Sequence, residues 1–460
     1  MNTLTIEKKG PSTFFRWMVL LFISLAMFGN YYIYDSISPL ADLLAKQLHF
    51  SDSDIGLLNA IYSFPNIIMV LIGGIVIDKF GARISVFIFT VLIMIGAFLT
   101  AVKGDLYLMA TGRLIFGLGA ESMIVAITTI IAKWFKGKEL SFAFGLNLTL
   151  ARLGSFLALN SPSWGRNLYT YWQSPLWITV AAGVFSVFCI LVYYFMDVYA
   201  SRKYNLQNEG KQEKIVFKEI FSFGKSFWFI TALCVTFYSA MFPFQTFAIK
   251  YFQDAHGTPR DVGGNLSSML TLAAMVFTPL FGLLVDKVGK RSLLMMFGSL
   301  LIIPVYIIMA YKIDLTAPFG ITGAISIDLN FFDIHSKIPI YLLVPMSIMG
   351  FSFSLIPAVM WPSVALIVRE AKLGTAYGLM TMIQNIGLFG FNLLIGFTND
   401  ISGASATNPS GYNLGMWIFS SLGFFGLVFA FLLRKTETGP HGHGLEKGSK
   451  EKDKELTAQT

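Results

Sequence analysis

Gly74-Ile75-Val76-Ile77-Asp78-Lys79-Phe80-Gly81-Ala82-Arg83 and Gly282-Leu283-Leu284-Val285-Asp286-Lys287-Val288-Gly289-Lys290-Arg291 are one phrase written twice. Both read G-x-x-x-D-K-x-G-x-R, and the offset is 208 throughout. Each copy closes a long apolar run. A small residue at Gly74 and Gly282 lets a neighbouring helix approach. Gly81 and Gly289 permit a sharp turn. Asp78 and Asp286 suit a helix N-terminus across an interface between halves, where the macrodipole favours negative charge. Arg83 and Arg291 complete the motif. A single charged loop of this kind would say only that an apolar segment has ended. Two copies at matching positions say that the chain is an internal repeat.

A second echo supports the repeat. Ala143-Phe144-Gly145-Leu146 returns as Ala376-Tyr377-Gly378-Leu379, 233 residues later. The composition supplies the setting. Of 460 residues, 55% are hydrophobic and 13% are charged, about half the charge of an average globular chain. The apolar runs exceed about 18 residues and lack the alternation of a membrane barrel. Twelve helical spans are expected, roughly 15–40, 54–77, 84–102, 106–132, 140–161, 175–196, 227–250, 265–285, 292–311, 338–367, 373–398 and 412–434. The first run follows Lys8, Lys9 and Arg16 and is too long for a signal-peptide core, so it reads as a retained span.

Charge asymmetry orients these spans. With both termini in the cytoplasm, 25 of the 34 Lys and Arg fall on cytoplasmic segments and seven on outer ones. Two, Arg113 and Arg152, lie inside spans. The fold class is therefore an all-α membrane protein with twelve helices in two six-helix bundles, the parallel-repeat architecture of the major facilitator fold. The expected organisation is a first bundle over 1–196, a cytoplasmic linker over 197–226, a second bundle over 227–434 and a disordered tail over 435–460. Within the linker, 215–221 suits a helix lying on the membrane surface. The outer segment 312–337 is an extra piece in which Ile325 to Leu329 alternates like a short strand.

Ionisable residues inside a membrane are costly and therefore candidates for function. Glu121, in span four, and Arg152, in span five, share a depth near the midplane. Thr149, Arg152 and Ser155 form one polar stripe, and Arg113, Gly117 and Glu121 another. Asp35 lies just past the middle of span one, with Tyr31 one turn earlier. Opposite charges at one depth suit a zwitterion. A guanidinium grips a carboxylate with two parallel bonds, and a carboxylate accepts from a terminal ammonium. The bland alternative is that Glu121 and Arg152 simply pair with each other. Arg113 reads as structural or as part of the conformational switch. The second half offers no matching charges. Its candidates are Gln384 and Asn385, the latter related to Arg152 by the offset of 233, together with Gln245, Tyr238 and Trp361.

Several chemistries are excluded. No G-x-x-x-x-G-K-[ST] cradle is present, so ATP does not drive the protein. No Ser-His-Asp or metal-ligand cluster points to an enzyme. His441 and His443 read as ordinary tail residues, and Cys189 and Cys234 as small core residues. The basic residues sit at helix ends, which gives no footprint for nucleic acid. No cofactor and no metal are expected. The partners are a small-molecule substrate and the lipid bilayer, with the chain acting as a monomer.

Phe28 to Asp35 (FGNYYIYD), Trp134 to Leu140 (WFKGKEL), Phe144-Gly145-Leu146 and Arg152-Leu153-Gly154-Ser155 carry a resemblance, as do Tyr238, Phe242-Pro243-Phe244, Met360-Trp361-Pro362-Ser363 and Leu373-Gly374-Thr375-Ala376. In these segments the chain resembles a dipeptide-transporting, lysosomal branch of the major facilitator superfamily. The match is weakest in 197–226, 312–337 and the tails. The resemblance implies facilitated transport of dipeptides, with Glu121 and Arg152 in peptide recognition. It carries the substrate class, which spacing does not. The E-x-x-E-R-F-x-Y-Y pattern of proton-coupled peptide symporters is missing, and no histidine lies in an expected span. A uniporter without an obligatory proton step is expected, with Asp35 as the residue able to overturn this. The alternatives are an organic-anion or amino-acid carrier, and a non-transporting receptor with the same fold. Neither cytoplasmic tail carries an acidic dileucine signal, so a bacterial-type cytoplasmic membrane is favoured over a lysosomal one.

Overall fold

A computed structural model of the chain describes residues 11–135, 139–204, 223–329, 334–369, 372–440 and 442–447. Fifteen α-helices are seen among them, and eleven helical stretches are long and apolar enough to cross a membrane. The first half contains α1 (Thr13–Asp35), α2 (Ala41–Leu48), α3 (Asp52–Ala60), α4 (Ser63–Phe80), α5 (Ala82–Val102), α6 (Leu106–Phe135), α7 (Leu140–Leu159), α8 (Ser161–Trp164) and α9 (Gln173–Tyr204). The second contains α10 (Lys225–His256), α11 (Arg260–Val288), α12 (Arg291–Ala310), α13 (Ile340–Ile367), α14 (Leu373–Ile401) and α15 (Asn413–Glu437).

The expected second span is built from α3 and α4 in succession. Pro65 lacks the N–H that would bond to Ile61, so the helix breaks at Ile61–Tyr62 and restarts. A capping box starts α3: Asp54 N donates to Ser51 Oγ at 3.1 Å, and Ser51 N donates to Asp54 Oδ2 at 2.9 Å. Span one is likewise interrupted before Pro39, and α2 follows as a separate short helix. In the outer segment β1 (Ala324–Leu329) pairs antiparallel with β2 (Ile334–Pro339), as the alternation suggested.

Both motif loops turn on glycine. Gly81 has φ +80° and Gly289 has φ +68°, a region other residues rarely enter. We call the end of the bundle carrying these loops the motif end. The opposite, far end is where the halves are sealed. Arg260 of α11 pairs with Asp42 of α2 at 2.6 Å, and Lys250 of α10 pairs with Asp52 of α3. Asp400 of α14 accepts from the backbone N–H of Asp52 and Ser53 at 2.9 and 2.8 Å, satisfying two donors at the start of α3. Backbones touch there. A Cβ on Gly56 would sit 2.5 Å from Asn392 O, and one on Gly264 2.5 Å from Leu159 O. The apolar core of the second half continues across this end to Ala41 and Ile55 of the first.

The motif end differs. The described hydrogen bonds and ion pairs between the halves lie at the far end and at the middle of the bundle. A Cβ on Gly282, or on Gly145 of α7, would meet nothing within 4 Å. The close approach expected at Gly282 is thus not made in this conformation. Asp286 departs from expectation too. It pairs with Arg291 of its own half at 2.7 Å and is 73% exposed; the Gly289 turn brings the two together before any helix of the other half comes into reach. In the first loop Arg83 reaches Asp197 of α9 at 3.2 Å, and Lys133 and Trp134 of α6 share that carboxylate. The side chain of Asp78 lies outside the described residues.

Two expectations, at the end of the first bundle and at the end of the second, need adjustment. Helix α9 runs on to Tyr204, into the expected linker, while 215–221 lies outside the described residues. Part of the tail expected to be disordered is packed. Leu445 is fully buried, Lys290 N and Arg291 N donate to the carbonyls of Glu446 and Leu445 at 3.2 Å each, and Ser292 N donates to Glu446 Oε1 at 3.1 Å. These are orphan donors at the start of α12, which accounts for the docking. His443 bonds Glu437 at 2.8 Å, and His441 lies outside the described residues.

Large apolar side chains cover the perimeter. Leu283, Phe195, Ile75 and Phe188 are more than half exposed. Such a surface is stable only against lipid tails, and the helices satisfy their own backbone groups as that solvent demands. The chain is an integral membrane protein.

Candidate functional site

Between the halves lies a central cavity of about 280 Å³. Its wall on the first half carries Tyr31 and Asp35 of α1, Glu121 of α6 and Arg152 of α7. Its wall on the second half carries Tyr238, Phe242 and Gln245 of α10, Trp361 of α13 and Gln384 of α14. Helix geometry explains the grouping. Tyr31 and Asp35 are four apart, so they share a face; Tyr238, Phe242 and Gln245 follow the same rule on α10.

Arg152 has no carboxylate partner within ion-pair distance among the described residues. Its guanidinium instead lies over two rings, 5.7 Å from the centre of Tyr31 and 5.8 Å from that of Phe353 on α13. Glu121 makes no ion pair either. The simple structural pair between Glu121 and Arg152 is therefore not formed in this conformation. Ring contacts do not satisfy its N–H groups, and a planar guanidinium fork suits a ligand carboxylate.

Arg113 is different in kind. It is 1% exposed, and its N–H groups are taken up by protein. They donate to Leu58 O at 3.1 Å and to Ile33 O, Tyr34 O and Asn59 Oδ1 at 3.2 Å. It also lies over Tyr62 and Phe116. It stitches the end of α1 to α3 and has no fork left for a ligand.

The wall on the second half is neutral and aromatic. Trp361 Nε1 donates to Tyr238 Oη at 2.9 Å, and Tyr238 stacks on Phe242 with ring centres 5.6 Å apart. Gln384 lines the cavity; its neighbour Asn385 does not. Asn385 is buried at the junction with α4, where Asn66 donates to its side chain at 3.4 Å and it donates to Thr381 O at 3.0 Å. Successive helical residues differ by about 100°, so only one of the pair points inward. Towards the far end the cavity is roofed by Tyr34 and Tyr62, whose hydroxyls are 2.7 Å apart, with Phe242 edge-on to Tyr34.

Sequence reasoning missed Asn30, Thr271 and Thr381 on the wall, and Phe353 beneath Arg152. Asn30 is adjacent to Tyr31 and its side-chain oxygen is buried without a partner, a state with no mark in sequence. Phe353 sits in an apolar run and looks like packing.

Membrane-length helices in two six-helix halves, closed at one end around a cavity with charges of both signs, define a membrane transporter. The chain belongs to the Major Facilitator Superfamily, whose family model matches residues 23–332 and 245–458. It is 31% identical over 401 residues to the lysosomal dipeptide transporter MFSD1 of Danio rerio, covering 84% of this chain and 81% of that one. It is 22% identical over 308 residues to the probable sulfoacetate transporter SauU of Cupriavidus necator, covering 60% of this chain and 66% of that one. Among solved structures, a bacterial homologue of the human lysosomal transporter Spinster, in an inward-facing and occupied conformation, superposes with a TM-score of 0.69 at 16% identity. That match covers 93% of this chain and 98% of the other, and it speaks for the fold alone.

Proposed function

We propose that the protein is a dipeptide facilitator that works by alternating access between its two halves. The observation that carries this reading is that Arg152 and Glu121 line one cavity without pairing with each other. Each keeps its capacity for a ligand. Arg152 takes the peptide carboxylate and Glu121 the terminal ammonium, with Asp35 as a second contact for the cationic end. Trp361, Tyr238 and Gln384 supply an apolar wall and amide contacts. The similarity to relatives named as dipeptide transporters points the same way.

An organic-anion carrier is the second reading, favoured by the similarity to SauU. The cavity weighs against it. Glu121 and Asp35 face the space with only Arg152 to balance them, because Arg113 is committed to backbone carbonyls. A dianion would meet net repulsion, whereas a zwitterion meets both signs.

No histidine is among the described residues that line the cavity. This supports a uniport cycle. The charge asymmetry of the loops supports a cytoplasmic motif end and cytoplasmic termini, and the tails, without an acidic dileucine signal, favour a bacterial-type cytoplasmic membrane. The chain functions as a monomer. The test is thermal stabilisation of the purified protein by a panel of dipeptides, free amino acids and dicarboxylates, since ligands of the folded state raise its melting temperature. Stabilisation by dicarboxylates and not by dipeptides would select the second reading.

A further inference from the structure

Arg152 belongs to the first half, yet one of its two ring contacts lies in the second. Tyr31 is on α1, and Phe353 is on α13. Among the described charged side chains lining the cavity, Arg152 alone lies over rings of both halves. Phe353 is a fixed pad. It is 2% exposed and braced by Phe237, with ring centres 6.2 Å apart, and by Phe242 at 6.0 Å. Phe242 in turn stacks on Tyr238 and meets Tyr34 edge-on at 6.2 Å. The ring beneath Arg152 is therefore continuous with the aromatic wall of the substrate cavity.

We propose that Phe353 is a positioning residue that holds Arg152 between the halves in the empty carrier, and that a substrate carboxylate draws the guanidinium off it. The proposal rests on the dipeptide reading of this cavity. An attraction between a cation and a ring face is strongest when the cation has no anion beside it. Arg152 has no carboxylate within ion-pair distance among the described residues, although Asp35 and Glu121 share its cavity. When a carboxylate occupies its N–H fork, the charge seen by Phe353 falls and the contact between halves weakens. Binding at one wall thereby releases a hold on the other. Differential stabilisation of one state is what a ligand needs to shift a conformational equilibrium.

The test uses spin labels on Phe142→Cys and Leu283→Cys, exposed sites near the motif end of α7 and α11, in otherwise full-length protein in liposomes. The native cysteines Cys189 and Cys234 are buried, and protein without the two introduced cysteines serves as the labelling control. In empty protein, Phe353→Leu should lower the ratio of motif-end-open to motif-end-closed molecules about fivefold, the effect of losing one such contact. Phe353→Tyr should keep the original ratio. Arg152→Gln should give the same shift as Phe353→Leu, and the double variant no more than either, because both remove one interaction. An unchanged ratio in Phe353→Leu, or a double variant that shifts by the sum of the singles, overturns the proposal. Saturating alanyl-alanine should bring Phe353→Leu and the unsubstituted protein to one distribution; a persisting difference also overturns it. If alanyl-alanine leaves the unsubstituted protein unmoved, the dipeptide reading fails, and the comparison in empty protein still decides the role of Phe353.

Discussion

Asp52, at the start of α3, holds Lys250 of α10 in a buried ion pair that joins the two halves at the far end. Asn399 of α14 donates to the other carboxylate oxygen at 3.0 Å, so three helices meet on one side chain. Asp52→Asn leaves Lys250 buried and uncompensated, a loss of about 3–5 kcal/mol to the state that contains the pair. The far end should open. Labels on Lys46→Cys and Thr407→Cys should move apart, and Asp52→Leu combined with Lys250→Met should bring them back together. No separation in Asp52→Asn would show that the Arg260–Asp42 pair, the Asp400 bonds and the close backbone contacts of Gly56 and Gly264 hold that end without it.

Arg113→Lys should lower stability and leave ligand preference alone. An ammonium cannot serve acceptors on α1 and α3 together, and buried carbonyls left unpaired should cost roughly 3 kcal/mol. The check is a melting curve in detergent beside a dipeptide titration. A selective loss of affinity with unchanged melting would make Arg113 a binding residue.

Glu121→Gln keeps the side chain's shape and removes its charge. Affinity for dipeptides with a free amino terminus should fall about tenfold, while N-acetylated dipeptides should change little. Equal effects on both would make Glu121 structural.

How far the sequence led depends on contrast. Arg152, Glu121 and Asp35 stand out because each is a charge in an apolar run, and helical periodicity gives their depth. The repeat is plain because Gly81 and Gly289 must turn where other residues rarely do. Facing is harder. Gln384 and Asn385 are neighbours, and the rotation of α14 against α4 decides which enters the cavity. Phe353 was hidden because an aromatic pad under a guanidinium looks like any buried phenylalanine. The motif suits Asp286 to a helix N-terminus across the interface, but the nearer Arg291 claims it in this conformation. The docking of Leu445 and Glu446 depends on orphan N–H groups at the start of α12, which lie far away in sequence.

Transport should need no proton gradient. With alanyl-alanine equal on both sides of a voltage-clamped liposome, an imposed pH gradient should leave the distribution equal. Accumulation on the alkaline side would reject uniport, and its loss in Asp35→Asn would identify the coupling residue.

In the proposed function, Arg152 clamps the carboxylate of a dipeptide. Its most direct test is uptake of alanyl-alanine and of its C-terminal amide into liposomes bearing the unsubstituted protein or Arg152→Lys, inserted in equal amounts. Lysine keeps the charge and loses the planar fork. The expected result is rapid uptake of the free dipeptide by the unsubstituted protein, at least about tenfold slower uptake of the amide, and a similar loss for the free dipeptide in Arg152→Lys. Full uptake of the free dipeptide by Arg152→Lys, or equal uptake of the free and amidated forms by the unsubstituted protein, would contradict it.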